Sequence, residues 1–248
     1  MSVRIAAFSD VHGNAMALAA VRKAIKAARP DAILIAGDLA LNGPEPAATV
    51  DGLRELEADG ALIVQGNTDI AVADFDYAAA FPAYSDGVPD AIRYACEWAH
   101  EALGDERLDW LRRLPAERRL RADDTLVLVT HGSPGSQTAG LDRDLDASVL
   151  VERLSHTDAR VVCCGHTHLP EVRDFGWKLV INDGSAGYVF DGDPTASWAL
   201  IEIDGTEIVA DIRRATFDAL EVSNAITARG LPGDIYRAAT VRTGKLVR

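Results

Sequence analysis

The chain has 248 residues, 48% of them hydrophobic and 25% charged, as in an ordinary globular protein whose length one α/β core can fill. Its net charge of −13 argues against duplex nucleic acid as a partner, because duplexes are bound mainly through Lys and Arg on phosphates. No apolar run approaches the ~20 residues of a membrane span, and Met1-Ser2-Val3-Arg4-Ile5 lacks the long apolar stretch and cleavage site of a signal peptide. The expectation is a cytoplasmic protein with no membrane partner.

Short runs rich in Val, Ile and Leu at 3–8, 32–36, 62–65, 126–130 and 161–164 have the length of buried strands. Helix-like stretches lie between them. In the first, 15–29, Leu18, Val21 and Ile25 recur near a 3.6 period and Pro30 ends the run. The others are expected at 47–58, 91–103 and 147–154. Strands alternating with helices predict a largely parallel sheet covered on both faces. Beyond residue 177 the pattern changes. Strands at 178–182, 197–203 and 206–212 follow one another, with Asp204-Gly205 as a hairpin signal. A last helix is expected at 217–229, ending at Gly230.

No composition break divides the chain, so residues 1–248 are expected to form a single domain, with a helical insertion or lid at 69–120 and a C-terminal helix and tail at 213–248. The stretch 69–89 looks the least regular. Its aromatics Phe75, Tyr77, Phe81 and Tyr84 follow directly on the Gly66-Asn67 motif, and some of them, Phe75 and Tyr77 first, are candidates to reach the cleft and stack on a nucleobase of the substrate. The run Arg112, Arg113, Arg118, Arg119 and Arg121 reads as a solvated surface around a helix end and turn. Cys163 and Cys164, adjacent in a strand, face opposite ways as buried thiols.

Chemistry gathers at the strand ends. The five runs lead to Asp10-x-His12, Gly37-Asp38, Gly66-Asn67, His131-Gly132 and Gly165-His166-Thr167-His168. In open α/β sheets ligands bind outside the carboxyl ends of the strands. Two carboxylates, four imidazoles and an amide exceed one tetrahedral site and suffice for two ions of five or six coordination. A bridging carboxylate holds such ions roughly 3.5–4 Å apart.

Together these motifs resemble the calcineurin-like metallophosphoesterases, in particular the small bacterial branch of YfcE-like phosphodiesterases and diadenosine-polyphosphate hydrolases. The resemblance extends to Gly43-Pro44 and Asn182-x-Gly184-Ser185. It implies an α/β fold, a four-layer αββα sandwich with a dinuclear metal site at the strand C-terminal ends. It also implies that Asp10, His12 and His168 bind one metal, that Asn67, His131 and His166 bind the other, and that Asp38 bridges them. Asp38, Asn67 and His131 are then the catalytic set, and Asn42 and Asn67 lie near the substrate phosphate.

The implied cofactors are two divalent or trivalent ions, Mn first, with Fe, Zn, Ni or Co as alternatives. The implied reaction is in-line hydrolysis of a small-molecule phosphate ester or anhydride: a phosphodiester, a nucleotide or a dinucleoside polyphosphate. A phosphoprotein phosphatase and a non-catalytic scaffold are the alternatives. The family's usual Gly-Asn-His-Asp/Glu reads Gly66-Asn67-Thr68-Asp69 here, so the histidine thought to protonate the leaving group is replaced. Asn42-Gly43 stands where protein phosphatases of the superfamily carry Arg-Gly.

Overall fold

Side-chain alternation along the first strand, β1 (Val3–Phe8), decides the architecture. Ile5 and Ala7 face one way and Ala6 and Phe8 the other, and all four are buried. A strand apolar on both sides must be covered on both. The computed structural model describes residues 2–248 and shows both covers. Helix α1 (Ala15–Ala28) crosses to β2 (Ala32–Ile35), and α2 (Pro46–Ala58) crosses to β3 (Leu62–Ile63). Next come α3 (Asn67–Asp74), α4 (Tyr77–Ala80) and α5 (Asp90–Arg113), and then β4 (Glu117–Ala122) and β5 (Thr125–Thr130). Helix α6 (Ala147–Leu154) precedes β6 (Val161–Cys164), β7 (Glu171–Asp174) and β8 (Leu179–Asn182). The hairpin β9 (Ala196–Asp204) and β10 (Glu207–Ala215) leads to α7 (Ala219–Arg229) and α8 (Asp234–Thr243).

The strands form two five-stranded mixed sheets, β10-β9-β1-β2-β3 and β4-β5-β6-β8-β7. Strands β1, β2 and β3 run parallel, with Phe8 beside Ile35 and Ile35 beside Ile63. In the second sheet β5, β6 and β8 are parallel. Between the sheets lies a core containing Ile5, Ala7, Leu34, Val127, Val129, Val161, Cys163 and Ile201. Outside the first sheet, Ala6, Phe8 and Ile35 pack with Leu18, Val21, Leu53, Val72 and Leu111 from the helices. Leu128, Val162 and Cys164 pack on the outer side of the second sheet with Leu154 of α6. The result is four layers, as the family resemblance implied. Periodicity alone suggested one covered sheet, because both sheets contribute parallel strands with identical apolar patterns. Cys163 and Cys164 do enter different cores.

The sequence reading also needs local corrections. Arg118, Arg119 and Arg121 lie on β4, paired antiparallel with β5, and not around a turn. Charged side chains suit this exposed edge strand, which would otherwise offer free backbone groups to another chain. The stretch after Gly66 begins as helix α3, and α5 continues past Leu103 through a break at Gly104 (φ 67°, ψ 168°) to Arg113. Strand β7 and helix α8 were not anticipated. The β9–β10 turn is Gly205-Thr206, one residue later than expected, since Asp204 pairs with Glu207.

Candidate metal centre

The parallel strands of the two sheets end on the same side of the molecule, and their loops bring all seven expected ligands together. Five of the seven, Asp10, His12, Asp38, His166 and His168, have positive φ between 50° and 68°. Such backbone costs a non-glycine residue about 1–3 kcal/mol and survives where the surroundings fix it. Glycine permits the close approach. A Cβ at Gly66 would stand 2.1 Å from Asp38 Oδ1, and one at Gly165 would stand 2.1 Å from Ser9 Oγ.

Asp38 lies between two groups of nitrogens. Its Oδ2 is 3.6 Å from His12 Nε2 and its Oδ1 is 3.4 Å from His131 Nε2. On the first side, His168 Nε2 is 3.2 Å from His12 Nε2 and 3.1 Å from Asp10 Oδ1. On the second, Asn67 Oδ1 is 2.9 Å from His131 Nε2 and 3.2 Å from His166 Nδ1, and these two nitrogens are 3.1 Å apart.

Backbone carbonyls dictate which ring nitrogens face inward. The Nδ1–H groups of His12 and His131 donate to the carbonyls of Leu41 (3.1 Å) and Ala36 (2.7 Å), and His168 Nδ1–H donates to Tyr188. Each ring so held turns its Nε2 toward the cluster, where the lone pair of the neutral form would meet a cation. Asn67 Nδ2–H donates to the Ala80 carbonyl at 3.1 Å, which leaves its oxygen facing inward too. Asp10 Oδ1 is buried without any hydrogen-bond donor. Facing lone pairs and an orphaned carboxylate oxygen are an arrangement that a cation satisfies. Asp10, His12 and His168 form one buried group able to hold a metal, and Asp10, Asp38 and His131 form another.

Opposite charges within the cluster act strongly on one another. Burial opposes charge on Asp10, yet His168 and His12 outweigh it and hold the carboxyl well below its usual range. Burial likewise opposes charge on His131 and His168, but Asp38 and Asp10 respectively raise them. For His166, burial and then His131 act together to lower it.

A supporting layer fixes these side chains, and the sequence reading missed most of it. Asp69 accepts the N–H groups of Gly66, Asp38 and Leu39; burial and then Asp38 push its carboxyl up to about 7 against these donors. Ser9 Oγ lies 2.5 Å from Asp10 Oδ2 and 2.6 Å from Asp183 Oδ1. One hydroxyl hydrogen serves only one of the two carboxyls. Burial pushes the Asp183 carboxyl well above the usual carboxylate range, which favours its protonated form beside Ser9. Ser185 Oγ donates to the Asp10 carbonyl at 2.7 Å, and Asn182 Nδ2–H donates to the Gly165 carbonyl at 2.8 Å. The Asn182-x-Gly184-Ser185 motif was visible in the sequence as a signal, without its mechanical role. Phe190, stacked on His168 at 4.2 Å, gave no signal at all.

Residues 3–206 match the model of the calcineurin-like phosphoesterase superfamily domain. The chain belongs to that superfamily. Over 243 residues, 92% of this chain and 93% of the other, it is 27% identical to uncharacterized protein MJ0912 of Methanocaldococcus jannaschii. A crystal structure of a metallophosphoesterase from Sphaerobacter thermophilus is 28% identical, with a TM-score of 0.74 over 98% of this chain and 100% of that one. Hypothetical protein PH1004 from Pyrococcus horikoshii OT3 is 20% identical, with a TM-score of 0.83 over 98% of each chain, and shares the fold.

Three residues of this superfamily member expected to contact the substrate have other partners in the structure. Phe75 stacks on His100 at 4.5 Å, and Tyr77 packs against the helix-side core. The chain turns away from the cluster after α3, so aromatics closest in sequence to Asn67 are not closest in space. Asn42 lies on the loop beside His12, but its Oδ1 accepts from Arg237 Nε at 3.0 Å, and its carbonyl and that of Gly43 accept from Arg229. The C-terminal helices thus hold this loop, and Asn42 serves as an anchor for them.

Proposed function

We propose that the protein is a dinuclear metal-dependent phosphoesterase acting on a small phosphate ester or anhydride. Asp10, His12 and His168 would hold one ion, Asn67, His131 and His166 the other, and Asp38 both. The observation that carries this reading is the set of inward lone pairs of His12, His131, His168 and Asn67, fixed by backbone carbonyls around the donorless Asp10 Oδ1. Divalent ions held there, Mn foremost, would supply positive charge toward the phosphate and lower the pKa of a nearby water.

The chain's own residues do the rest. Asp38 presents one oxygen to each half of the cluster, and the Thr68 N–H donates to its Oδ1 at 2.9 Å and sets its rotation. The Ser9 and Asp183 pair holds Asp10 Oδ2, leaving Oδ1 free to bind. Asn67 stands where its amide meets both the cluster and an adjoining cavity. With no histidine at position 68, protonation of the leaving group falls outside the family's usual device. The cytoplasmic location belongs to the same proposal, and three unpaired buried cysteines fit a reducing compartment. Among the described residues no helix is long and apolar enough to cross a membrane.

The test combines metal analysis with turnover of bis(4-nitrophenyl) phosphate by Mn-loaded protein. Two ions per chain and chelator-sensitive hydrolysis are expected. Asp38→Asn should lose both, because the side chain serves both halves. A chain that binds no metal and turns over no phosphate ester would instead be a scaffold.

A further inference from the structure

A cavity of about 200 Å³ adjoins the second half of the cluster. Asn67 and His166 form its inner wall, and Phe81, Pro82, Ala83 and Tyr84 form the outer one. None of its lining residues is charged. The turn carrying the rings is anchored by backbone hydrogen bonds from Phe81 N–H to the Tyr77 carbonyl and from Tyr84 N–H to the Phe81 carbonyl. The two rings meet edge to face at 6.4 Å, and Tyr84 is 46% exposed. An engineered cavity of about 150 Å³ holds one benzene ring, so this space admits a single flat ring, with its open side free for substituents.

We propose that this cavity binds the uncharged aromatic or heterocyclic group of the substrate, so that the preferred phosphate is an aryl or heterocyclic ester or diester and not a polyphosphate. The inference rests on phosphoester hydrolysis at the adjoining cluster. Charge decides against a polyphosphate chain, whose successive anionic groups each need a counter-charge beyond the ions. The ring-lined side offers none. On the other flank, the small cavity beside Thr167 carries Asp142, Asp144 and Glu171 against Arg143 alone, and Arg143 is paired with Glu171 at 2.8 Å. Arg229 and Arg237, near Asn42, are occupied by Asp234 and by backbone carbonyls. A neutral ring lying against the face of Phe81 or Tyr84 needs no such partner, and stacking tolerates many ring types.

The experiment compares bis(4-nitrophenyl) phosphate with inorganic triphosphate on Mn-loaded wild type, Phe81→Ala and Tyr84→Ala. Wild type should prefer the aryl diester in kcat/KM. Each ring deletion should raise its KM about tenfold, the loss of a stacking contact of ~1.4 kcal/mol, and change kcat/KM for triphosphate by far less. Because Phe81 is half-buried, competition by phenylphosphonate against methylphosphonate on wild type gives a second reading, with the phenyl compound expected to compete about tenfold better. Ala83→Lys places a cation in the cavity and should improve triphosphate turnover. Preference for triphosphate in wild type, equal competition by the two phosphonates, or unchanged aryl KM in both ring variants overturns the proposal. Failure to turn over any phosphate overturns the phosphoesterase reading itself and this one with it.

Discussion

The Asp69 carboxylate accepts the backbone N–H of Asp38 at 3.0 Å, and the same carboxylate accepts from Leu39 at 2.8 Å and Gly66 at 2.9 Å. One side chain therefore ties the end of the second strand to the start of α3, and with them the two motifs that carry Asp38 and Asn67. Asp69→Ala leaves three buried donors without an acceptor, each costing about 1–3 kcal/mol. The variant should unfold at clearly lower denaturant and retain less metal, and Asp69→Asn should lie between it and wild type. A wild-type midpoint in Asp69→Ala would refute the strut.

Thr68 is the second residue of α3, beside Asp38 and buried, with its Oγ1 free of any hydrogen-bond partner. A threonine hydroxyl does not donate a proton near pH 7, whereas histidine does. Thr68→His should therefore raise turnover most for esters with poor, high-pKa leaving groups and least for 4-nitrophenol esters. A Brønsted series over substituted phenyl esters measures this. An equal gain across the series would show that position 68 does not govern departure of the leaving group.

The centre was legible in the sequence because its residues follow apolar strands and stand beside glycines that strand ends require. Asp10, Asp38, Asn67, His131 and the two histidines after Gly165 needed no tertiary information. Asp69 and Asp183 were not legible as supports, since an acidic residue on a loop looks the same whether it holds three backbone donors or faces water. Of the four aromatics after Asn67, Phe81 and Tyr84 line the cavity beside it and Phe75 and Tyr77 do not, a division that proximity in sequence does not reveal. Phe75, in the left-handed conformation that caps α3, turns the chain away, and Phe81 and Tyr84 return to the cavity. Strand β4 was hidden by its arginines, which solvate an exposed edge and break the apolar pattern of a strand.

Gly165 offers a sharp steric test. A Cβ there would stand 2.1 Å from Ser9 Oγ and 2.2 Å from Asp10 Oδ2, distances at which something must move. Neither neighbour is the far end of a flexible chain. Gly165→Ala should destabilise by about 1–3 kcal/mol, as overpacking does, and displace Asp10 from His168. Calorimetric titration with Mn should show weakened binding, while Gly176→Ala, at a turn with open space around it, should bind metal like wild type. Wild-type metal affinity in Gly165→Ala would mean that the Ser9–Asp10 contact does not position the ligand.

Acid stability should report on the C-terminal clamp. Asp234 lies buried between Arg229 at 2.6 Å and Arg237 at 3.1 Å, and these two arginines hold the Asn42-Gly43 loop next to His12. Burial opposes the Asp234 charge, but Arg229 outweighs it and lowers the carboxyl below its ordinary value of 3.8. Between the folded and unfolded values the unfolded chain binds more protons, so stability rises with pH in that window. The contribution is complete above pH 3.8 and is lost as pH falls through the folded value. Asp234→Asn removes this dependence but leaves two buried cations short of a partner, a cost of about 3–5 kcal/mol. Urea unfolding should thus show a less stable variant near neutral pH whose deficit narrows below about pH 3.8. A deficit that stays constant down to the acid limit would show that Asp234 is not the group whose protonation releases the clamp.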